Sequence, residues 1–268
     1  MTTTYPVYFV SHGGGPWPYV ASMSKMYAKT AREFSALPER LPNKPKAVLV
    51  ISGHWEADDF TVSTAEQPPM EYDYYGFPEH TYHIKYPAPG SPALASRIQT
   101  LLAEAGFRPR VNADRGFDHG TFVPLELMFP QADVPIVTLS LKSSYDPGEH
   151  IRIGQALAPL RNEDVLIIGS GLTYHNMQGF GRTESTPIAD AFQAFLNGAI
   201  GQDDARVRND MLVRWESAPG ARHAHPKEDH LLPLLVVAGA AGNDVGRPVF
   251  IDHVMEVPMA SYEFGGAK

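Results

Sequence analysis

Three histidines stand directly behind short apolar runs of the chain. His12 follows the run at residues 7–10 in VSHGGGP, His54 follows residues 47–52 in VISGHW, and His175 follows residues 165–170 in IIGSGLTYHN. Imidazole titrates near neutral pH and carries a free lone pair, so it can move a proton or hold a metal. If the runs are strands of an open α/β sheet, residues at their carboxyl ends converge on the crevice where such sheets bind ligands. Gly13, Gly14, Gly15, Gly53, Gly169 and Gly171 lie beside these histidines and allow sharp turns and close approach. His119, in GFDHGTFVPL, sits in a turn-like segment ahead of a short apolar helix. His230, in HPKEDHLLPLLVVAG, is placed in the first turns of an apolar helix. Glu228 and Asp229 beside it are alternative ligands or groups that orient an imidazole. Spacing alone leaves His119 and His230 open between a site and the core. His225 is open between a site and a helix cap. His80, His83, His150, His223 and His253 read as ordinary surface or core residues.

The chain has no cysteine. That excludes disulfides, iron–sulfur clusters, thiolate zinc sites and cysteine nucleophiles together. A metal would therefore be held by His, Asp or Glu, a donor set that suits zinc or non-haem Fe(II). The candidate ligands come from scattered segments, without the tight HExxH spacing. Other chemistries lack their motifs. SHGGGP has no GxSxG elbow downstream, and Ser170 in IGSGL is not one. There is no GxxxxGK[ST] loop and no GxGxxG. Paired glycosidase carboxylates are not recognisable from spacing.

The elements that must position these histidines follow from periodicity. The runs at 7–10, 47–52, 136–141 and 165–170 are continuous rather than alternating, as for strands covered on both faces. Helical spacing recurs over 20–34, 91–106, 148–160, 188–197, 203–216 and 227–242, and a late strand is expected over 249–257. In 91–106 a Ser cap is followed by Pro at the first helical position, and Gly closes the segment. Strands alternating with helices predict a single α/β domain over 1–268, with a central mixed, largely parallel sheet flanked by helices and the site at strand carboxyl ends.

Residues 68–89, PPMEYDYYGFPEHTYHIKYPAP, have no period and hold five Tyr. Such a segment either packs on the core through its rings or covers an aromatic ligand. Net charge is −8 from 22 basic and 30 acidic residues, which argues against a general nucleic-acid or anionic-membrane binder. The N-terminus lacks a basic region and a long apolar run, and the apolar stretch at 231–241 is about half a membrane span. A soluble cytoplasmic protein is the expectation.

Together, SHGGGP, SGHW, YDYYGFPEHTYHIKYPAPGSP, GFDHGTFVPL, TYHNM and HPKEDHLLPL resemble the class III extradiol ring-cleavage dioxygenases. The match is closest to the 4,5-DOPA extradiol dioxygenase group, which is similar to the catalytic subunit of protocatechuate 4,5-dioxygenase. The resemblance runs in order from about Tyr5 to Val257. It implies one mononuclear metal held by His12, His54 and His230, with His230 standing where protocatechuate-type enzymes have Glu. It implies His175 as catalytic base and as a fourth ligand in zinc-loaded resting forms, and His119 near substrate and oxygen. It further implies Fe(II) for activity, even where Zn(II) is the metal bound, because zinc has no redox chemistry. A catechol and O2 would be the substrates and a muconic semialdehyde the product. Tyr72, Tyr74, Tyr75 and Tyr82 are candidate substrate contacts; Lys85 reads as solvated. A zinc-dependent hydrolase and a non-enzymatic binding scaffold on the same fold are the competing readings.

Overall fold

In the computed structural model, which describes residues 4–266, the apolar runs form strands whose two faces are both covered. In chain order the elements are β1 (Val7–Ser11), α1 (Ala21–Met26), α2 (Ala28–Ala36), β2 (Ala47–Ala57), β3 (Thr61–Ser63), α3 (Pro92–Glu104), β4 (Arg110–Asn112), α4 (His119–Met128), β5 (Ile136–Lys142), α5 (Pro147–Leu157), β6 (Val165–Gly171), α6 (Thr186–Ile200), α7 (Ala205–Val213), α8 (Ala221–Ala224), α9 (Leu232–Ala240), β7 (Gly246–Val254) and β8 (Val257–Phe264). One sheet holds all eight strands in the order β4-β3-β5-β2-β6-β1-β8-β7. Its centre, β5-β2-β6-β1, is parallel, and β8 joins β1 antiparallel. The sheet is thus mixed and largely parallel.

Side chains alternate along the central strands between two cores. Phe9, Leu49, Ile51 and Ile167 pack with Ile153 of α5, Phe192 of α6 and Leu235 of α9. Tyr8, Val10, Val48, Val50 and Ile168 pack with Phe34 of α2 and Phe122 of α4. Burying each such side chain contributes roughly 1.5–3 kcal/mol. The helix α9, LPLLVVAGA, is buried all round, as expected of a helix with no polar face.

Several boundaries differ from the sequence expectation, each for a local reason. The helix expected over 20–34 divides at Tyr27, which leaves helical geometry at φ −94°, ψ 18°. The helix expected over 227–242 begins only at Leu232, so His230 precedes it in a turn instead of occupying its first turns. The single strand expected over 249–257 is a hairpin of β7 and β8. Its turn residues, Met255 and Glu256, have φ of 49° and 70°, and neither is the Asn or Gly that marks such a turn in a sequence. The three-residue strands β3 and β4 are too short to give a period.

The pairing of β2 with β5 shifts register between Ile51 and Glu56. That irregularity spans Gly53 and His54. Bulges of this kind re-aim side chains beside active sites. Among the described residues no helix is long and apolar enough to cross a membrane.

Candidate metal centre and active site

His12 is the first residue beyond β1, and its N–H still donates to Gly171 O beyond the ladder, at 3.1 Å. The chain then turns through Gly13 at φ +82°, where an added Cβ would stand 2.7 Å from the Trp17 ring. Trp17 closes the turn by donating its indole N–H to His12 O at 2.7 Å. The His12 ring is buried, with Nδ1 2.7 Å from Gly13 O and Nε2 without a partner. His230 reaches the same place from the turn before α9. Its carbonyl accepts from Leu172 N at 3.0 Å, and a Cβ on Gly171 would meet that oxygen at 2.1 Å. Only glycine at 171 lets the two segments lie so close.

His54 and His230 face each other through Nε2 at 3.1 Å. Their other ring nitrogens face carboxylates. Nδ1 of His54 is 3.3 Å from Asp73 Oδ2, and Nδ1 of His230 is 3.1 Å from Asp229 Oδ1. The hydrogen bond to Gly13 O places the proton of His12 on Nδ1, and the carboxylates beside Nδ1 of His54 and His230 favour the same tautomer there, although Nδ1 of His230 makes no hydrogen bond; this is the arrangement of metal-binding imidazoles backed by acceptors. Two Nε2 lone pairs then oppose each other at 3.1 Å, which is favourable only around a shared electrophile. A hydrogen bond between them would instead turn one Nδ1 lone pair onto an aspartate. One donor nitrogen from each of His12, His54 and His230 lies within 4.8 Å of the other two. The donor set, its tautomers and the orphaned buried Nε2 of His12 all fit a divalent cation.

Two further histidines complete the cluster. His119 opens α4, whose cap residue Asp118 accepts from Thr121 N. Asp73 receives the His119 N–H at 3.0 Å and faces its Nδ1 with both oxygens at 2.9 Å. The aromatic segment is held in place for this contact, because Phe117 N donates to Pro69 O and Glu71 N to Phe117 O. His175 stacks on His230 with ring centroids 3.4 Å apart, and its Nδ1 is 3.5 Å from Asp229 Oδ1.

Electrostatics follow from burial. Desolvation, reinforced by neighbouring imidazoles, holds His12 and His230 well below the usual histidine value and brings His54 to about 4. They are therefore neutral at neutral pH, the form that binds a metal. Burial pushes Asp73 up, but the contacts with His119 and His54 outweigh it and bring the carboxyl down to about 2. Asp229 is likewise pushed up by burial, yet His175 and His230 hold it well below the carboxylate range.

The five histidines line one cleft of about 570 Å³, together with Gly13, Asp73, Tyr74, Tyr75, Phe77 and an apolar wall including Phe180. Of the four tyrosines expected to contact substrate, Tyr74 and Tyr75 line this cleft. Tyr72 and Tyr82 do not line the cleft: the Tyr72 hydroxyl donates to Ile84 O, and the Tyr82 hydroxyl accepts from Phe77 N. Glu228 pairs with Arg222 at 2.7 Å, and Asp229 is the acid that faces the cluster. His225 is buried against Phe192 and Trp215, and His150 bridges Asp146 O and Lys142 N. Asp73 escaped the sequence reading. Its only signal was a lone acid inside YDYY.

An α/β sheet with a buried, metal-competent histidine cluster at the carboxyl ends of its parallel strands defines the class. Residues 4–264 match the family described as catalytic LigB subunit of aromatic ring-opening dioxygenase, and this chain belongs to that family. It is 43% identical over 245 residues to a 4,5-DOPA dioxygenase extradiol of Beta vulgaris, covering 88% of this chain and 87% of that one. It is 35% identical to the dioxygenase tasH of Hapsidospora irregularis, over 98% of this chain and 86% of the other. The crystal structure of an uncharacterized protein from Escherichia coli K12 superposes with a TM-score of 0.79 at 30% identity, covering 97% of this chain and 100% of that one.

Proposed function

We propose that this chain cleaves a catechol outside its two hydroxyls, placing both atoms of O2 in a muconic semialdehyde-type product. The observation that carries this reading is the convergence of His12, His54 and His230, with the buried Nε2 of His12 lacking any partner. These three residues would hold one metal. Fe(II), when bound there, would supply the electron sharing that O2 activation needs, which zinc lacks. His175 is the base: it takes a proton from a catechol hydroxyl and later returns it, while Asp229 steadies the imidazolium. His119, backed by Asp73, stabilises negative charge developing on the incoming oxygen. Tyr74, Phe77 and the apolar wall exclude water and lie along the substrate ring. Relatives named for DOPA support a catechol as substrate class.

The test is anaerobic reconstitution with Fe(II), then air and a catechol panel that includes DOPA, following O2 uptake and the yellow ring-opened product. Colour with stoichiometric O2 uptake is the expected result. Turnover of an ester or amide by the zinc form without O2 would establish a hydrolase instead. No turnover with either metal would leave a binding scaffold.

A further inference from the structure

We propose that His225, which lies outside the metal cluster, is a positioning residue for His175: its ring N–H fixes the Thr173 peptide and thereby aims the imidazole two residues further on. The proposal rests on the reading of His175 as the base. His225 is the first residue beyond α8 and is fully buried. Its Nε2 lies 3.1 Å from Thr173 O. A carbonyl oxygen only accepts, so the proton sits on Nε2. The Phe192 and Trp215 rings meet the imidazole edge-on, with centroids 5.5 and 6.0 Å away, and hold it in one orientation.

Two strips of chain meet here. Residues 172–175 leave the carboxyl end of β6 and carry His175; residues 224–230 lead from α8 towards α9 and carry Asp229 and His230. Leu172 N donates to His230 O at 3.0 Å, and His175 N donates to Ala224 O at 2.8 Å. The His225 bond to Thr173 O falls between these two links. From β8, Ala260 N donates to Thr173 Oγ1 at 3.0 Å. Thr173 is therefore held through its carbonyl and its side chain, and the strips keep one register. That register stacks His175 on His230 with centroids 3.4 Å apart and puts its Nδ1 3.5 Å from Asp229 Oδ1. Without the His225 N–H the two backbone links remain, but the peptide between Thr173 and Tyr174 is free to rotate.

A histidine kept only to fill the core does not account for this. With Nε2 protonated, Nδ1 is an acceptor, and it is buried without a partner. A leucine or phenylalanine would fill the space beside Phe192 and Trp215 and leave no such atom. Gaining one neutral hydrogen bond while burying one unpaired acceptor does not stabilise the fold. What the imidazole does supply is a donor at a fixed point, on the carbonyl of Thr173.

The test compares His225→Leu and His225→Gln with the wild type. Among the described residues no other donor reaches Thr173 O. Leucine thus exchanges one buried unpaired acceptor, Nδ1, for another, Thr173 O, and its unfolding midpoint should stay close to wild type. Glutamine restores an N–H at similar reach. In the Fe(II)-reconstituted proteins we expect His225→Leu to lower kcat at least about tenfold, a part of the roughly 10²-fold cost of misplacing a reacting group by about 1 Å. KM and zinc affinity should stay within about twofold, and His225→Gln should return kcat to within about threefold of wild type. Undiminished kcat in His225→Leu, or equal losses in both variants, overturns the proposal. Early unfolding or loss of zinc binding in His225→Leu assigns a structural role and overturns it as well. Amide exchange of the metal-free proteins reads the position without turnover: His175 N should exchange faster in His225→Leu and at the wild-type rate in His225→Gln. Equal rates in all three overturn the proposal. If the wild type cleaves no catechol, the ring-cleavage reading fails, and the exchange rates still decide whether His225 holds this segment.

Discussion

Asp73→Asn is the most informative single change, because one carboxylate serves two histidines. It accepts the His119 N–H, faces His119 Nδ1 at 2.9 Å and stands 3.3 Å from His54 Nδ1. Asparagine keeps the shape but replaces one oxygen with an NH2. That donor must face one of the two Nδ1–H groups, and the imidazole concerned moves its proton to Nε2. In His54 this is the atom 3.1 Å from His230 Nε2, so the change takes a nitrogen out of the metal-binding set. Losing a carboxylate behind a metal-binding histidine weakens affinity about 10- to 100-fold, or roughly 1.4–2.7 kcal/mol. Losing one hydrogen bond to a charged group is worth about 1.5–3 kcal/mol, so the two estimates agree. Titration of the metal-free variant with Zn(II) and with anaerobic Fe(II), beside kcat at saturating metal, separates the cases. Weaker metal binding assigns the NH2 to His54; intact binding with a lowered kcat assigns it to His119. Wild-type values of both would refute the bridging role of Asp73.

The remaining predictions concern the histidines themselves. His175→Ala should keep its metal and lose about 10²–10⁴-fold in ring-cleavage rate; undiminished turnover would remove His175 from the base role. His12→Ala should leave the protein folded but without stoichiometric metal, and full occupancy by metal analysis would break the proposed ligand set. The metal-free protein should be acid-sensitive in a defined window. Burial lowers His54 to about 4 and His225 to about 3, against an ordinary 6.5. The unfolded chain therefore binds more protons below pH 6.5. The stability from these neutral histidines is complete above that pH and is lost as pH falls toward about 4, at up to roughly 1.4 kcal/mol per pH unit for each residue. Thermal unfolding followed across that range should show a falling midpoint, and a flat profile would contradict neutral burial.

What the sequence made legible was set by local signals. The strands β1, β5 and β6 could be read because continuous apolar runs have few other uses, and His12 could be placed because it directly follows one. The strand order rests on pairings such as Val7 with Ile167 and Val7 with Phe264, which no local pattern encodes. The run LLPLLVVAG after His230 predicts that His230 lies in a helix, yet Pro226 and the Glu228–Leu231 turn hold the chain outside the helix there. Asp73 meets His119 across 46 residues, only because the segment around Pro69 pairs with Phe117. Aperiodic segments hide contacts of this kind.

The cluster is also an energetic deficit, and that deficit bears on its purpose. His12, His119 and His230 are 1%, 5% and 2% exposed, and the Nε2 of His12 has no partner. A buried nitrogen left unsatisfied costs about 1–3 kcal/mol. A fold that only needed to bury these rings could have paired them with one another or with backbone, as it does for His150 between Asp146 O and Lys142 N. Here the acceptors all lie on the outer side, at Gly13 O, Asp73 and Asp229. The Nε2 atoms of His54 and His230 thereby meet on the inner side, where the Nε2 of His12 has no partner. A cation bound among them would recover the deficit as affinity, and because the unfolded chain offers no such arrangement, that affinity would return as folding stability.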